Sequence, residues 1–140
     1  MDLPERVFLE AGVKRIEPLL RGYGFQYGPG DEGCSSGGSF ATGTFWRGDF
    51  EIGLIVREKA KFGAPDYSFE KQGFVGHDEL MRTLGRGEEA RLVPGLRQSF
   101  VARDGSDPFD ALRWDLEQFI LPVFKRSEVG FRTLLSRANG

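Results

Sequence analysis

Residues 39–46 and 49–57 are two runs rich in aromatic, β-branched and small side chains, and Arg47-Gly48 separates them. This pattern restricts the possible folds more than any other stretch. Short runs of that kind around a glycine-containing dipeptide read as a β-hairpin. With Arg47-Gly48 as the turn, Phe45 faces Phe50, Gly43 faces Ile52 and Ala41 faces Leu54. Side chains alternate across a strand, so these six share one apolar face. The opposite face carries Phe40, Thr42, Thr44, Trp46, Asp49, Glu51, Ile55 and Arg57, a mixed polar and aromatic set. A ribbon of this kind needs helices against one side and leaves the other to water or a partner.

The flanking segments supply those helices. Residues 3–21 read as an amphipathic helix with Leu3, Val7, Phe8 and Ala11 on its stripe. Asp2 suits the N-cap and Pro4 the first turn, and Gly22 or Gly24 suits a left-handed stop. Pro18 is expected to kink this helix or restart it near Ile16. Residues 23–27 read as a short strand, and 28–38, with its glycines, proline and serines, as a flexible loop. A charged connection over 59–66 leads to a fourth strand over 67–69, extending towards Val75. Asp78 is placed to cap a short helix over 79–84 that stops at Gly85. Residues 88–93 look helical, Pro94-Gly95 breaks them, and 96–102 lean towards helix.

Asp107-Pro108 followed by Phe109, Leu112, Leu116, Phe119 and Ile120 is a strong helix signature. Pro122 is expected to bend or end that helix. A terminal helix over 127–138 turns Val129, Phe131, Leu134 and Leu135 inward. The predicted fold class is therefore α+β: an antiparallel meander of about four strands with helices on one face, comprising one N-terminal and two C-terminal helices. It forms a single domain over 1–140.

Net charge is −2, with basic and acidic residues interspersed, which removes the electrostatic case for a nucleic-acid partner. Cys34, the single cysteine, excludes an intramolecular disulfide and fits a reducing compartment. With no signal peptide and no apolar window near the length of a membrane span, the chain is expected in the cytoplasm, away from membranes. The 13 phenylalanines imply an aromatic core.

Catalytic and metal constellations are thin. His77, in Gly76-His77-Asp78-Glu79, is the only histidine. As a base or ligand it would need partners the local sequence supplies poorly, so a polar residue ahead of a short helix is the preferred reading. Cys34 sits among glycines and serines without a base, and the glycine-rich segment lacks the Lys-Ser/Thr ending of a phosphate loop. Arg47-Gly48-Asp49 matches an adhesion tripeptide, but a hairpin needs a turn there. The arginines from Arg82 to Arg103 are interleaved with Glu88 and Glu89, as on a solvated surface. No catalytic residue, metal or cofactor is assigned. The strongest binding candidate is the open hairpin face, with Trp46, Phe40, Arg57, Glu51 and Thr44, because Trp and Arg favour interface centres.

The leading helix running into Gly22-Tyr23-Gly24-Phe25, the meander with its aromatic hairpin, and the helix ending in Ile120-Leu121-Pro122-Val123-Phe124 resemble small bacterial domains, some of them immunity proteins beside polymorphic toxins. That resemblance implies a non-enzymatic role with a toxin-like or regulatory protein partner and carries over no residue. The alternative is a small-molecule binder or enzyme with an aromatic pocket between the sheet and the last helices. Homodimerisation through exposed strand edges is compatible with both.

Overall fold

A computed structural model describes residues 3–36, 38–63, 65–97 and 99–139. Helix α1 (Pro4–Gly22) starts on a proline, whose missing N–H is harmless in a first turn. It ends where Phe25 N–H bonds Leu20 O and Gly24 N–H bonds Arg21 O, with Gly24 at φ +89°. This is a Schellman close that needs a left-handed residue. The helix runs through Pro18 without interruption, and the expected break is not seen. The Asp2 cap lies outside the described residues, and Leu3 holds the N-cap position.

The buried stripe of α1 is Leu9, Val13, Ile16 and Leu20, while Val7 is 59% exposed and Ala11 also faces out. The two stripes obey the same periodicity. The one observed wins because it is longer and buries more apolar area. Gly12 lies on it, and a Cβ there would overlap the Phe109 ring.

Six antiparallel strands form the main sheet among the described residues: β1 (Gln26–Ser35), β2 (Gly38–Arg47), β3 (Phe50–Arg57), β4 (Lys61–Phe62), β5 (Asp66–Phe69) and β6 (Gln72–Gly76). Their order is β1-β2-β3-β5-β6, with β4 paired to the end of β3. The expected fourth strand is thus a hairpin of its own. In the central hairpin Phe45 pairs with Ile52, Gly43 with Leu54 and Ala41 with Val56, a slip of two from the expected register. The turn residues are Gly48 and Asp49, with Gly48 at φ +59°. A slip of two keeps every side chain on its own face. Ala41, Phe45, Phe50, Ile52, Leu54 and Val56 are all buried.

The segment 28–38 is not a loop. Most of it is β1, which pairs with β2 along its length, with a bulge between Pro29 and Glu32. Ladder hydrogen bonds override the poor strand propensity of glycine. Residues 88–103 also depart from expectation: instead of helix they hold β7 (Leu92–Pro94) and β8 (Phe100–Ala102), a two-stranded hairpin. Three-residue strands are too short to show a period-2 pattern.

Helix α2 (His77–Thr83) follows β6 directly and closes at Gly85, φ +75°; Asp78 lies inside it and does not cap it. Helix α3 (Pro108–Asp115) is capped as expected, Asp107 accepting from Phe109 N–H at 2.8 Å. Pro122 does not end the helical run. A π-helical turn, Leu116–Ile120, leads into α4 (Leu121–Arg126), with Leu121 N–H bonding Leu116 O. The wider turn relieves the clash that proline causes in an α-helix. In α5 (Glu128–Asn139), Phe131 and Leu135 are buried and Leu134 packs at the margin, but Val129 is 77% exposed. The core is aromatic, as expected. Phe50 is its hub, with Phe25, Tyr67, Phe69, Phe124 and Phe131 around it.

Candidate functional site

Strand register sets out the second face of the sheet in rows. Gln26, Trp46, Glu51 and Ser68 form one row, and Gly28, Thr44, Gly53 and Asp66 the next. Thr42 and Ile55 form the third, and Gly33, Phe40, Arg57 and Lys61 the fourth. All five predicted residues, Trp46, Phe40, Arg57, Glu51 and Thr44, lie on this face. Phe40, Trp46 and Ile55 belong neither to the hydrophobic core nor to the side chains packed against it.

These large side chains are nonetheless half-buried, Trp46 and Phe40 against glycines of β1 and Ile55 against Gly63. The Trp46 ring lies over Gly28, where a Cβ would come within 3.0 Å of it, and Phe40 reaches towards Gly33. Thr42 lies over Gly30 and donates its hydroxyl to Asp31 O at 3.2 Å. The glycine run is therefore the floor under the β2 side chains of this face. Phe74, 59% exposed, adds an aromatic at the far side, opposite in parity to the buried Val75. Sequence reasoning left Phe74 unplaced because the run 67–75 does not reveal the turn inside it.

The charges on this face are separated. Glu51 stands in the first row, Arg57 and Lys61 in the fourth. Within the described residues none of the three enters an ion pair, whereas Arg6, Arg15, Arg21, Arg47, Arg82, Arg86 and Arg132 all do. The Asp66 carboxyl is pushed up by burial, with Arg57 opposing and Glu79 adding to the shift.

Arg47-Gly48-Asp49 is a bracket between the hairpin and α5. Arg47 pairs with Glu128 at 3.0 Å and donates to Tyr23 O at 2.8 Å, while Asp49 pairs with Arg132 at 2.6 Å. The hydrogen bond from Arg132 holds the Asp49 carboxyl below its ordinary value. Both charged side chains of the tripeptide are engaged internally.

His77 opens α2, as expected of a residue at the start of a short helix, but it is not a surface polar group. It is fully buried with Tyr67 and Asp115. With the ring proton on Nε2, the Tyr67 hydroxyl donates to Nδ1 at 2.7 Å and Nε2–H donates to Asp115 Oδ2 at 2.8 Å. Asp115 also accepts the backbone N–H groups of Arg91 at 2.8 Å and Leu92 at 3.0 Å. The chain of partners resembles a proton relay, but each member has 0% exposure, so no substrate reaches it. It ties β5, α2, α3 and β7 together. Sequence reasoning missed Tyr67 and Asp115 because they lie 10 and 38 residues from His77. One hint was legible: Asp115 interrupts the apolar stripe between Leu112 and Leu116.

Cys34 is a free, exposed thiol on β1. Among the described residues no three His, Cys, Asp or Glu side chains are grouped to hold a metal, and no helix is long and apolar enough to cross a membrane. Between the sheet and the last helices the rings of Phe50, Phe69, Phe124 and Phe131 pack on one another. A groove of about 780 Å³ lies elsewhere, floored by Met81, Leu92 and Val93 and rimmed by Arg82, Glu88 and Arg103. Set against models of known families, curated proteins and solved structures, the chain matches none of them.

Proposed function

We propose that this chain is a non-enzymatic protein-binding module, of the immunity-like or regulatory kind, that docks its partner on the uncovered sheet face. One observation supports this reading above the others: Trp46, Phe40 and Ile55 sit outside the core beside charges that have no ion-pair partner within the described residues. Half-buried aromatics held on a rigid glycine floor present apolar area at little entropic cost, and an arginine beside them adds a directional contact. A bacterial cytoplasm, where the exposed Cys34 stays reduced, is the setting this reading implies.

Trp46→Ala combined with Arg57→Ala is expected to abolish capture of the partner while the melting temperature moves by only about 2–4 °C. Retained capture would overturn the reading. Unfolding would show that the face is core.

The second reading, a small-molecule binder, draws on the groove beside α2 and β7, whose apolar floor and charged rim suit an amphipathic metabolite. Native mass spectrometry of freshly purified protein is then expected to show an added mass that Val93→Trp, at the partly exposed lining of the groove, removes. A clean apo mass counts against it.

A further inference from the structure

We infer that the occupant of the uncovered sheet face is a second copy of this chain, stacked face to face about a two-fold axis that lies between the sheets and crosses the strands. The inference rests on the proposed docking role and names the partner of that same face. Its basis is the way charge and ring size are distributed along the strands.

Glu51 and Arg57 lie six positions apart on β3, about 20 Å at the usual rise per residue, at opposite ends of the face. Trp46 and Phe40 bracket the same length of β2. A rotation of 180° about an axis crossing the strands reverses their direction and keeps their order. It lays β2 on β2 and β3 on β3, with the first row of one copy over the fourth row of the other. Glu51 then meets the partner's Arg57, with the partner's Lys61 beside it, and Trp46 meets the partner's Phe40. The central rows, Thr44–Gly53 and Thr42–Ile55, oppose each other where small side chains let two sheets approach to about 10 Å.

The alternative axis, along the strands, keeps each row on itself, so Glu51 shares a row with the partner's Glu51 and Arg57 with the partner's Arg57, and neither meets its opposite. The charge pattern favours the axis that crosses the strands. Size sets the strength: the four rows span about 20 Å and four strands about 19 Å, about 380 Å² per copy and about 760 Å² in total, which fits a weak, reversible dimer rather than a permanent one.

The β1 edge of the sheet offers a poorer route to a dimer. β1 carries Pro29, a bulge and two acidic residues, the usual devices against strand addition, and Arg6 takes the carbonyls of Gly30 and Asp31 within that bulge.

Sedimentation velocity over a range of concentrations is expected to show a reversible dimer. Glu51→Arg and Arg57→Glu are each expected to raise its Kd about tenfold or more, and the double variant to return it to within about threefold of wild type. Thr44→Arg, at the centre, should leave only monomer. Melting temperatures check that each variant folds. Glu51→Arg serves as the cleaner single change, since Arg57 lies in the field of Asp66 within its own copy. A chain that is monomeric at every concentration overturns the inference, as does a dimer indifferent to the reversals or not rescued by the double variant. A monomer whose face variants still lose capture of an unlike protein overturns only this inference and leaves the docking reading standing. A monomer whose variants keep that capture overturns both.

Discussion

Asp115→Ala is expected to lower the free energy of unfolding by about 3–5 kcal/mol. The carboxylate is fully buried and accepts three hydrogen bonds, from the N–H groups of Arg91 and Leu92 and from His77 Nε2. Alanine leaves all three donors without this acceptor, and the two that are fully buried, Leu92 N–H and His77, each cost roughly 1–3 kcal/mol, with less from the part-buried Arg91 N–H. The loss should extend beyond α3, because β7 and β8 have their own small sheet and β7 is held to the body partly through these two N–H groups. Urea denaturation measures the change, and hydrogen exchange should show 91–102 opening first. A loss under about 1 kcal/mol would mean that the buried network contributes little.

Tyr67→Phe, which leaves only Nδ1 unpaired, is expected to cost about 1–2 kcal/mol at neutral pH. It also isolates a pH effect. Burial, reinforced by the charges of Asp115 and Asp66, raises the Tyr67 phenol well above its ordinary value of 10.0. Unfolded, the phenol loses its proton near its ordinary value; folded, it keeps it. The unfolded chain therefore binds fewer protons above that value, and stability falls as pH rises past it, while nothing is lost below. Tyr67→Phe should flatten that alkaline decline. Part of it should persist through Tyr27, whose phenol is raised mainly by burial and then by its hydrogen bond to Glu10.

Arg6→Met is expected to destabilise by about 2–4 kcal/mol. Arg6 emerges from the first turns of α1, and its side chain is almost wholly buried under β1 and β2. Nε donates to Glu32 at 2.9 Å, Nη1 to Glu10 at 3.0 Å and Thr42 O at 2.8 Å, and Nη2 to Gly30 O and Asp31 O at 3.2 Å. Gly30 and Asp31 are where β1 slips out of register with β2, so the guanidinium takes up carbonyls that the ladder leaves over. Glu10 and Glu32, both partly exposed, can turn to water, and Asp31 O keeps the Thr42 hydroxyl. The part-buried carbonyls of Thr42 and Gly30 lose their guanidinium donor, and with the bulge they hold they carry most of the loss. Arg6→Lys should recover little, since one ammonium cannot reproduce a five-donor fork. Equilibrium unfolding gives the magnitude. Faster amide exchange confined to 26–35 would mark the loosened strand, whereas unchanged protection of β1 would show that the bulge holds without Arg6.

Face parity was legible because it depends only on strand period. Ala41, Gly43, Phe45, Phe50, Ile52 and Leu54 face inward as expected although the expected turn lies one residue early; Asp49, expected on the open face, lies in the turn and pairs with Arg132. The α3 start was legible because Asp107 caps through bonds two residues away. The five residues of the proposed docking face share a face through the same alternation; Phe74 stayed unplaced because the β5–β6 turn was hidden.

Local physics alone therefore determined the class of fold, the helix ends closed by proline, aspartate and glycine, and which side of each hairpin residue looks inward, since each depends on neighbours a few positions apart. Tertiary structure decided whatever needed a distant partner. Glycines at 28–33 became a strand because β2 lies beside them and its large side chains need bare backbone to lie on. Residues 92–94 and 100–102 became strands with Asp115 holding two amides, those of Arg91 and Leu92, at the start of the first. His77 was drawn into the core because a tyrosine and an aspartate from far along the chain meet both of its nitrogens, and a buried polar group is tolerable only when such partners are present.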